Sequence, residues 1–155
     1  MEVSLRYADI NTRKYSPYKS FSGDQTYKDK SFNLKIKLIE ETERFPELSI
    51  GFRDFIGTGK FGGEYVVTSK KIGDFDLTAG LGWGSLSESK GIKNPFIDID
   101  DAFSIRPTGY GLGGNFELRK FFRGPKASAF YGFSYLNKYS GIRFKIDYDL
   151  SLIHI

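Results

Sequence analysis

Cysteine is absent, and histidine, methionine and tryptophan each occur once in the 155 residues, at His154, Met1 and Trp83. Without cysteine there is neither a disulfide framework nor a thiolate metal site. The only histidine, His154, lies in the C-terminal segment Leu150–Ile155, so the rest of the chain lacks the histidine that Ser–His and Cys–His nucleophilic catalysis needs. No apolar run approaches the roughly 20 residues that a helix needs to cross a bilayer, which removes helical spans but not membrane strands. Lysine and arginine (23, against 19 acidic residues) are scattered along the chain. No nucleic-acid-binding tract is therefore expected.

What is abundant points to strands and turns. Phenylalanine (15), tyrosine (10) and glycine (18) dominate, a composition that suits pleated, aromatic-faced sheets. Apolar residues alternate with polar ones at period two, and helical periodicity is missing. Phe75, Leu77, Ala79, Leu81 and Trp83 share one face, and Asp74, Asp76, Thr78, Gly80 and Gly82 the other. Similar alternation predicts strands over Val3–Tyr7, Ser31–Leu38, Leu48–Arg53, Ala127–Tyr135 and Ile142–Asp149, with less regular ones over Glu64–Ser69 and Phe116–Phe122. The predicted fold is all-β, an antiparallel meander of about eight strands that forms part of a larger outer-membrane-type β-barrel.

Two features favour a membrane barrel over a soluble sandwich. The clearest strands approach the roughly 9–11 residues that cross a bilayer at a tilt. Long or medium loops (Ile10–Lys30, Phe55–Gly63, Gly84–Asn115) alternate with short turns near Thr42–Pro46, Lys71–Gly73 and Gly124–Lys126, as in barrels with short turns on one side of the membrane and longer loops on the other. The turn Asn137–Gly141 alone is shorter than this parity predicts. On that reading the lipid-facing residues are Phe32, Leu34, Ile36, Phe75, Leu77, Leu81, Trp83, Tyr131, Phe133, Tyr135, Phe144 and Tyr148. The lumen would be lined by Arg6, Lys35, Lys37, Arg53, Asp74, Asp76, Arg143, Lys145 and Asp147, a basic excess suited to an anionic polysaccharide. Alternation does not itself say which face is inside. A soluble β-barrel or sandwich with an apolar, ligand-binding interior uses the same pattern, and a glycosidase-type carboxylate pair needs only three-dimensional proximity.

Three motifs imitate known chemistry. "GYGLGG" (Gly109–Gly114) matches the dinucleotide fingerprint but precedes strand-like "NFELRKFF", where a helix is required. "GTGK" (Gly57–Lys60) lacks the rest of a phosphate loop, with Asp54 in place of glycine and Phe61 in place of the hydroxyl. "FIDIDD" brings together Asp98, Asp100 and Asp101, but no twelve-residue calcium loop surrounds them, so a solvated loop is expected. No cofactor, metal or catalytic residue is predicted.

The pieces "GDQTYKDKSF" (Gly23–Phe32), "FRDFIGTGKFGGEYVVTSK" (Phe52–Lys70), "GDFDLTAGLGWG" (Gly73–Gly84) and "FFRG" (Phe121–Gly124), in this order, resemble the YjbH-like family of bacterial outer-membrane β-barrel proteins linked to exopolysaccharide and capsule export. The resemblance covers most of residues 1–149 and weakens from Ser85 to Tyr110. It implies an outer-membrane location, a non-enzymatic part in polysaccharide secretion or assembly, and as partners outer-membrane lipid, an anionic polysaccharide and other export components. Family members are several times longer and carry a signal peptide, so residues 1–149 are expected to be a partial barrel domain. The last residues, Leu150–Ile155 ("LSLIHI"), read like the translation of a sequencing adaptor and contain His154.

Overall fold

Antiparallel neighbours joined in chain order form one sheet in the computed structural model, which describes residues 1–57, 61–87, 91–107 and 118–148. The strands are β1 (Glu2–Lys14), β2 (Thr26–Ile39), β3 (Glu47–Ile56), β4 (Gly63–Ile72), β5 (Phe75–Gly84), β6 (Ile92–Lys93), β7 (Lys126–Leu136) and β8 (Arg143–Tyr148). β1 to β5 pair consecutively, β7 follows β5, and both the short β6 and β8 pair with β7. The sheet curls into a half-barrel. Among the described residues β1 pairs only with β2 and β8 only with β7, so both edges keep unpaired backbone groups.

Register sorts the side chains, because directly opposed residues of an antiparallel pair share a face. Leu5–Phe32, Leu34–Phe52, Ile50–Val66, Val66–Leu81, Leu77–Phe133 and Phe133–Ile146 link the apolar rows across the sheet. Ser4–Asn33, Lys35–Gly51, Gly51–Tyr65, Gly80–Phe130 and Ser134–Lys145 link the polar face. The period-two reading therefore holds across strands as well as along them.

Three expectations need correction. Phe116–Phe122 is not a strand over its described part: Leu118–Lys120 forms a 3-10 turn, and Phe122 takes φ +58, outside the extended backbone of a regular strand. Residues 116 and 117 lie outside the described residues. The connection placed at Ile10–Lys30 is much shorter, because β1 runs on to Lys14 and β2 starts at Thr26, leaving a single helical turn, α1 (Lys19–Ser22). Removing the false strand also resolves the anomaly at Asn137–Gly141. The two longest connections, 15–25 and 85–125, now lie with 57–62 at one end of the sheet, and 40–46, 73–74 and 137–142 at the other. Gly73 (φ +62) makes the tightest turn, joining Ile72 to the opposed Phe75. No helix among the described residues is long and apolar enough to cross a membrane.

Buried apolar residues are few. Trp83 and Ala127 are enclosed, both at the long-loop end, where residues 91–107 and 118–125 fold back over the apolar face. Elsewhere that face is open, with Leu5, Phe32, Leu77, Tyr131 and Phe144 all exposed.

Candidate functional site

The polar face of β1–β5 and β7 encloses a trough of about 690 Å³. Asn33 and Lys35 of β2, Arg53 of β3, Tyr65 of β4, and Ser128 and Phe130 of β7 line it, with Glu2 and Ser4 of β1 at one side. Glycines shape the floor. Tyr65 lies opposite Gly51, and a Cβ added to Gly51 would fall 2.1 Å from Tyr65 Cζ. Phe130 lies opposite Gly80 in the same way, with 2.2 Å to Phe130 Cζ. Each ring can lie flat only because the opposing residue has no side chain, and it covers the glycine backbone in return. The two rings meet edge to face at 6.4 Å. Asn33 is held at both ends of its amide, donating to Ser4 Oγ (3.2 Å) and accepting from Asp54 N–H (3.1 Å). Ser128 is 3% exposed, and among the described residues its Oγ finds no hydrogen-bond partner. Leu86 closes the long-loop end of the trough over Gly82.

On the opposite, apolar face a polar clasp ties down the longest loop. Glu64 is 1% exposed although it shares its row with Val66 and Thr68. Its carboxylate accepts two hydrogen bonds from the Arg106 guanidinium, each 2.8 Å, and one from Phe122 N–H at 2.9 Å. This is the bidentate geometry in which arginine–carboxylate pairs are strongest. Asn94, fully buried, accepts from Trp83 Nε1 (2.9 Å) and Phe96 N–H (3.1 Å) and donates to the carbonyls of Phe122 and Gly124, both 2.9 Å. The rings of Phe96 and Phe122 pack on Trp83 at 5.4 and 5.1 Å.

The sequence-predicted residues fall into place unevenly. Of the lumen set, Lys35 and Arg53 reach the trough. Arg6 lies deeper toward the long loops, its guanidinium 4.2 Å from the Phe61 ring centre. Lys37 pairs with Glu47 (3.1 Å) and Lys145 with Asp147 (2.7 Å), which trims the positive excess counted from sequence. Asp76 and Arg143 are exposed. Asp74 is in the turn after β4, paired with Lys138, and so sits at the short-turn rim. Of the apolar set, Phe32, Phe75, Leu77, Tyr131, Phe144 and Tyr148 are exposed, and Leu34, Ile36, Leu81, Phe133 and Tyr135 half-buried. Trp83 is a correction. It was expected at a lipid surface but is 1% exposed, because Asn94, Phe96 and Phe122 cover it.

The tempting motifs dissolve or fall outside. Asp98 pairs with Lys93, and Asp100 caps a 3-10 turn by accepting from Ala102 N–H at 2.8 Å. Gly57 abuts Asp54, while residues 58–60 and the glycine-rich Gly109–Gly114 lie outside the described residues, as does Leu150–Ile155. Sequence reasoning missed Glu64, Asn94 and Arg106. One signal was there to find: Glu64 is a charge on an otherwise apolar row. Tyr65 and Phe130 were also missed, as large rings on the polar face.

The family model described as "Exopolysaccharide biosynthesis protein YbjH" matches residues 1–151. The chain is 45% identical over 149 residues to the "Uncharacterized lipoprotein YjbH" of Escherichia coli (strain K12), an alignment that covers 96% of this chain and 21% of that protein. The chain thus spans about a fifth of the length of the curated relative it matches. No solved structure matches it.

Proposed function

Since the chain belongs to the YjbH family of exopolysaccharide biosynthesis proteins, we propose that it forms part of the wall of an outer-membrane β-barrel and contributes, without catalysing a reaction, to the secretion or assembly of exopolysaccharide. One observation carries this reading. Apolar rows continuous through β1–β5, β7 and β8 stay largely exposed, while the polar face turns inward around a trough. In water such a surface is a liability. Against acyl chains it is what a barrel wall presents. The bare edges of β1 and β8 fit the same reading, because in hydrocarbon every backbone group must be paired, and further strands of a longer polypeptide would pair them. The relative's printed name, a lipoprotein, agrees with an envelope location. A soluble barrel would have to put the apolar rows inside, and the trough is lined instead by Asn33, Lys35, Arg53 and Ser128 around two aromatic rings.

The test must not rely on Trp83, which the clasp shields from any membrane. Tyr131→Trp places an indole on the exposed row, and Thr78→Trp places one on the polar face. In bilayers of brominated lipid, emission from the first is expected to be quenched and from the second to persist. Equal emission from both, or failure of the protein to enter bilayers, would refute the proposal.

A further inference from the structure

The trough combines three elements of an acidic-sugar site. Tyr65 and Phe130, each packed over a glycine, both line the cavity. Flat apolar faces at an angle to one another suit the C–H faces of successive pyranose rings. Lys35 and Arg53 bring two cations to the lining beside those rings, with Glu2 the one acidic residue among the described lining residues. A carboxylate between them gains charge-assisted hydrogen bonds, with arginine able to hold it through two N–H groups. Ser128 lines the same cavity, and its buried Oγ finds no hydrogen-bond partner among the described residues, a state in which buried polar groups are rarely left. Asn33 adds a polar wall already fixed by Ser4 and Asp54. The volume of about 690 Å³ lies within the range of ligand pockets.

We propose that this trough is a binding subsite for uronic-acid units of a saccharide chain, with Tyr65 and Phe130 as stacking platforms, Lys35 and Arg53 as carboxylate partners, and Ser128 as a hydroxyl contact. The proposal rests on the polar face being the lumen of a polysaccharide-handling barrel, and it adds to that reading both a location and a substrate class. Stacking supplies affinity without regard to charge, and the cations supply preference for acid. The two contributions are separable by mutation.

The experiment is calorimetric titration of the detergent-solubilised, full-length polypeptide carrying this segment, with tetragalacturonate and with neutral maltotetraose. Tetragalacturonate is expected to bind about tenfold more tightly. Lys35→Gln and Arg53→Gln should each weaken it about five- to tenfold and leave maltotetraose unchanged. Phe130→Leu should weaken both sugars about threefold or more. Lys35→Arg keeps the charge and should retain the preference, which separates loss of a contact from loss of the fold. Equal affinity for the two sugars, no measurable binding of either, or acid preference that survives Lys35→Gln and Arg53→Gln would overturn the subsite. Bilayer quenching at Tyr131→Trp is independent of sugar. Quenching without uronate binding ends the subsite and keeps the barrel, whereas Lys35-dependent uronate binding without quenching ends the barrel and keeps the subsite.

Discussion

Leu77 and Trp83 stand on one row of β5, yet Leu77 is 40% exposed and Trp83 1%. Nothing in their strand separates them. The difference comes from what lies above, which is a folded loop at the Trp83 end and, among the described residues, no cover of that kind at the Leu77 end. The covered end is held by polar contacts, the buried Glu64 to the half-buried Arg106 and the buried Asn94 to the buried Trp83. The open end carries side chains with few polar atoms to satisfy. A protein stabilised in water concentrates apolar burial in its own interior. Here the chain encloses only Trp83 and Ala127 among the described apolar residues, and the larger apolar area stays exposed. The clasp then marks where that area ends.

The largest expected effect breaks the covered end. Glu64→Ala strands Arg106 without its carboxylate and removes the acceptor of Phe122 N–H, at a cost of about 4 kcal/mol. It should appear as a lower urea midpoint followed by Trp83 emission in detergent micelles, with the emission shifted red as the clasp opens. An unchanged midpoint would mean that Glu64 and Arg106 gain no more from each other than from water. Somewhat smaller is the effect that probes the open end. Leu77→Arg puts a charge on the exposed row and should cost about 3 kcal/mol in a bilayer but little in urea-free aqueous detergent. Thr78→Arg, one residue along on the polar face, should be tolerated within about 1 kcal/mol in both. The reverse ranking would turn the sheet inside out and end the barrel reading. Asn94→Ala follows at about 2 kcal/mol, because Trp83 Nε1 and two carbonyls lose their partner together. Its loss should be seen in the same Trp83 emission, and it should leave the response to Leu77→Arg unaltered because the two regions share no contact.

Those rankings depend on features the sequence exposed to different degrees. Strand rows were legible because period two is local: Leu34 and Ile36 announce their face without reference to any other strand. The residues 118–122 misled because Phe121 and Phe122 look like strand residues in isolation, and only the tertiary contacts show that Phe122 packs on Trp83 while Phe121 packs on Phe52 and Phe55. The trough was half legible. Lys35 and Arg53 could be assigned to the polar face, but their nearness to Tyr65 and Phe130 follows from four pairings across five strands. Loss of charge excess was equally hidden, since Lys37 meets Glu47 through the β2–β3 register alone.

The smallest effect belongs to the short-turn end, and it sharpens the contrast with the clasp. There Lys138, in the turn between β7 and β8, pairs with Asp74, in the turn between β4 and β5. A backbone bond from Leu136 N–H to Asp74 C=O (3.0 Å) lies beside it. The hydrogen bond to the Asp74 carboxylate, and then its charge, hold the Lys138 ammonium above the ordinary lysine range. A raised lysine pKa means that the folded state binds this proton more tightly than the unfolded one. Its contribution is therefore complete at neutral pH, begins to fade near the ordinary lysine value, and is gone once pH passes the raised one. Lys138 is well exposed, so the contribution is small and screened by salt, unlike that of Glu64 with Arg106. Lys138→Gln should lower the urea midpoint slightly at pH 7 and by progressively less above about pH 10.5. Roughly 0.5 M salt should erase the difference at pH 7 while leaving the deficit of Glu64→Ala in place. A Lys138→Gln deficit that persists at high pH and high salt would show that the turn is held by its backbone and not by this charge pair.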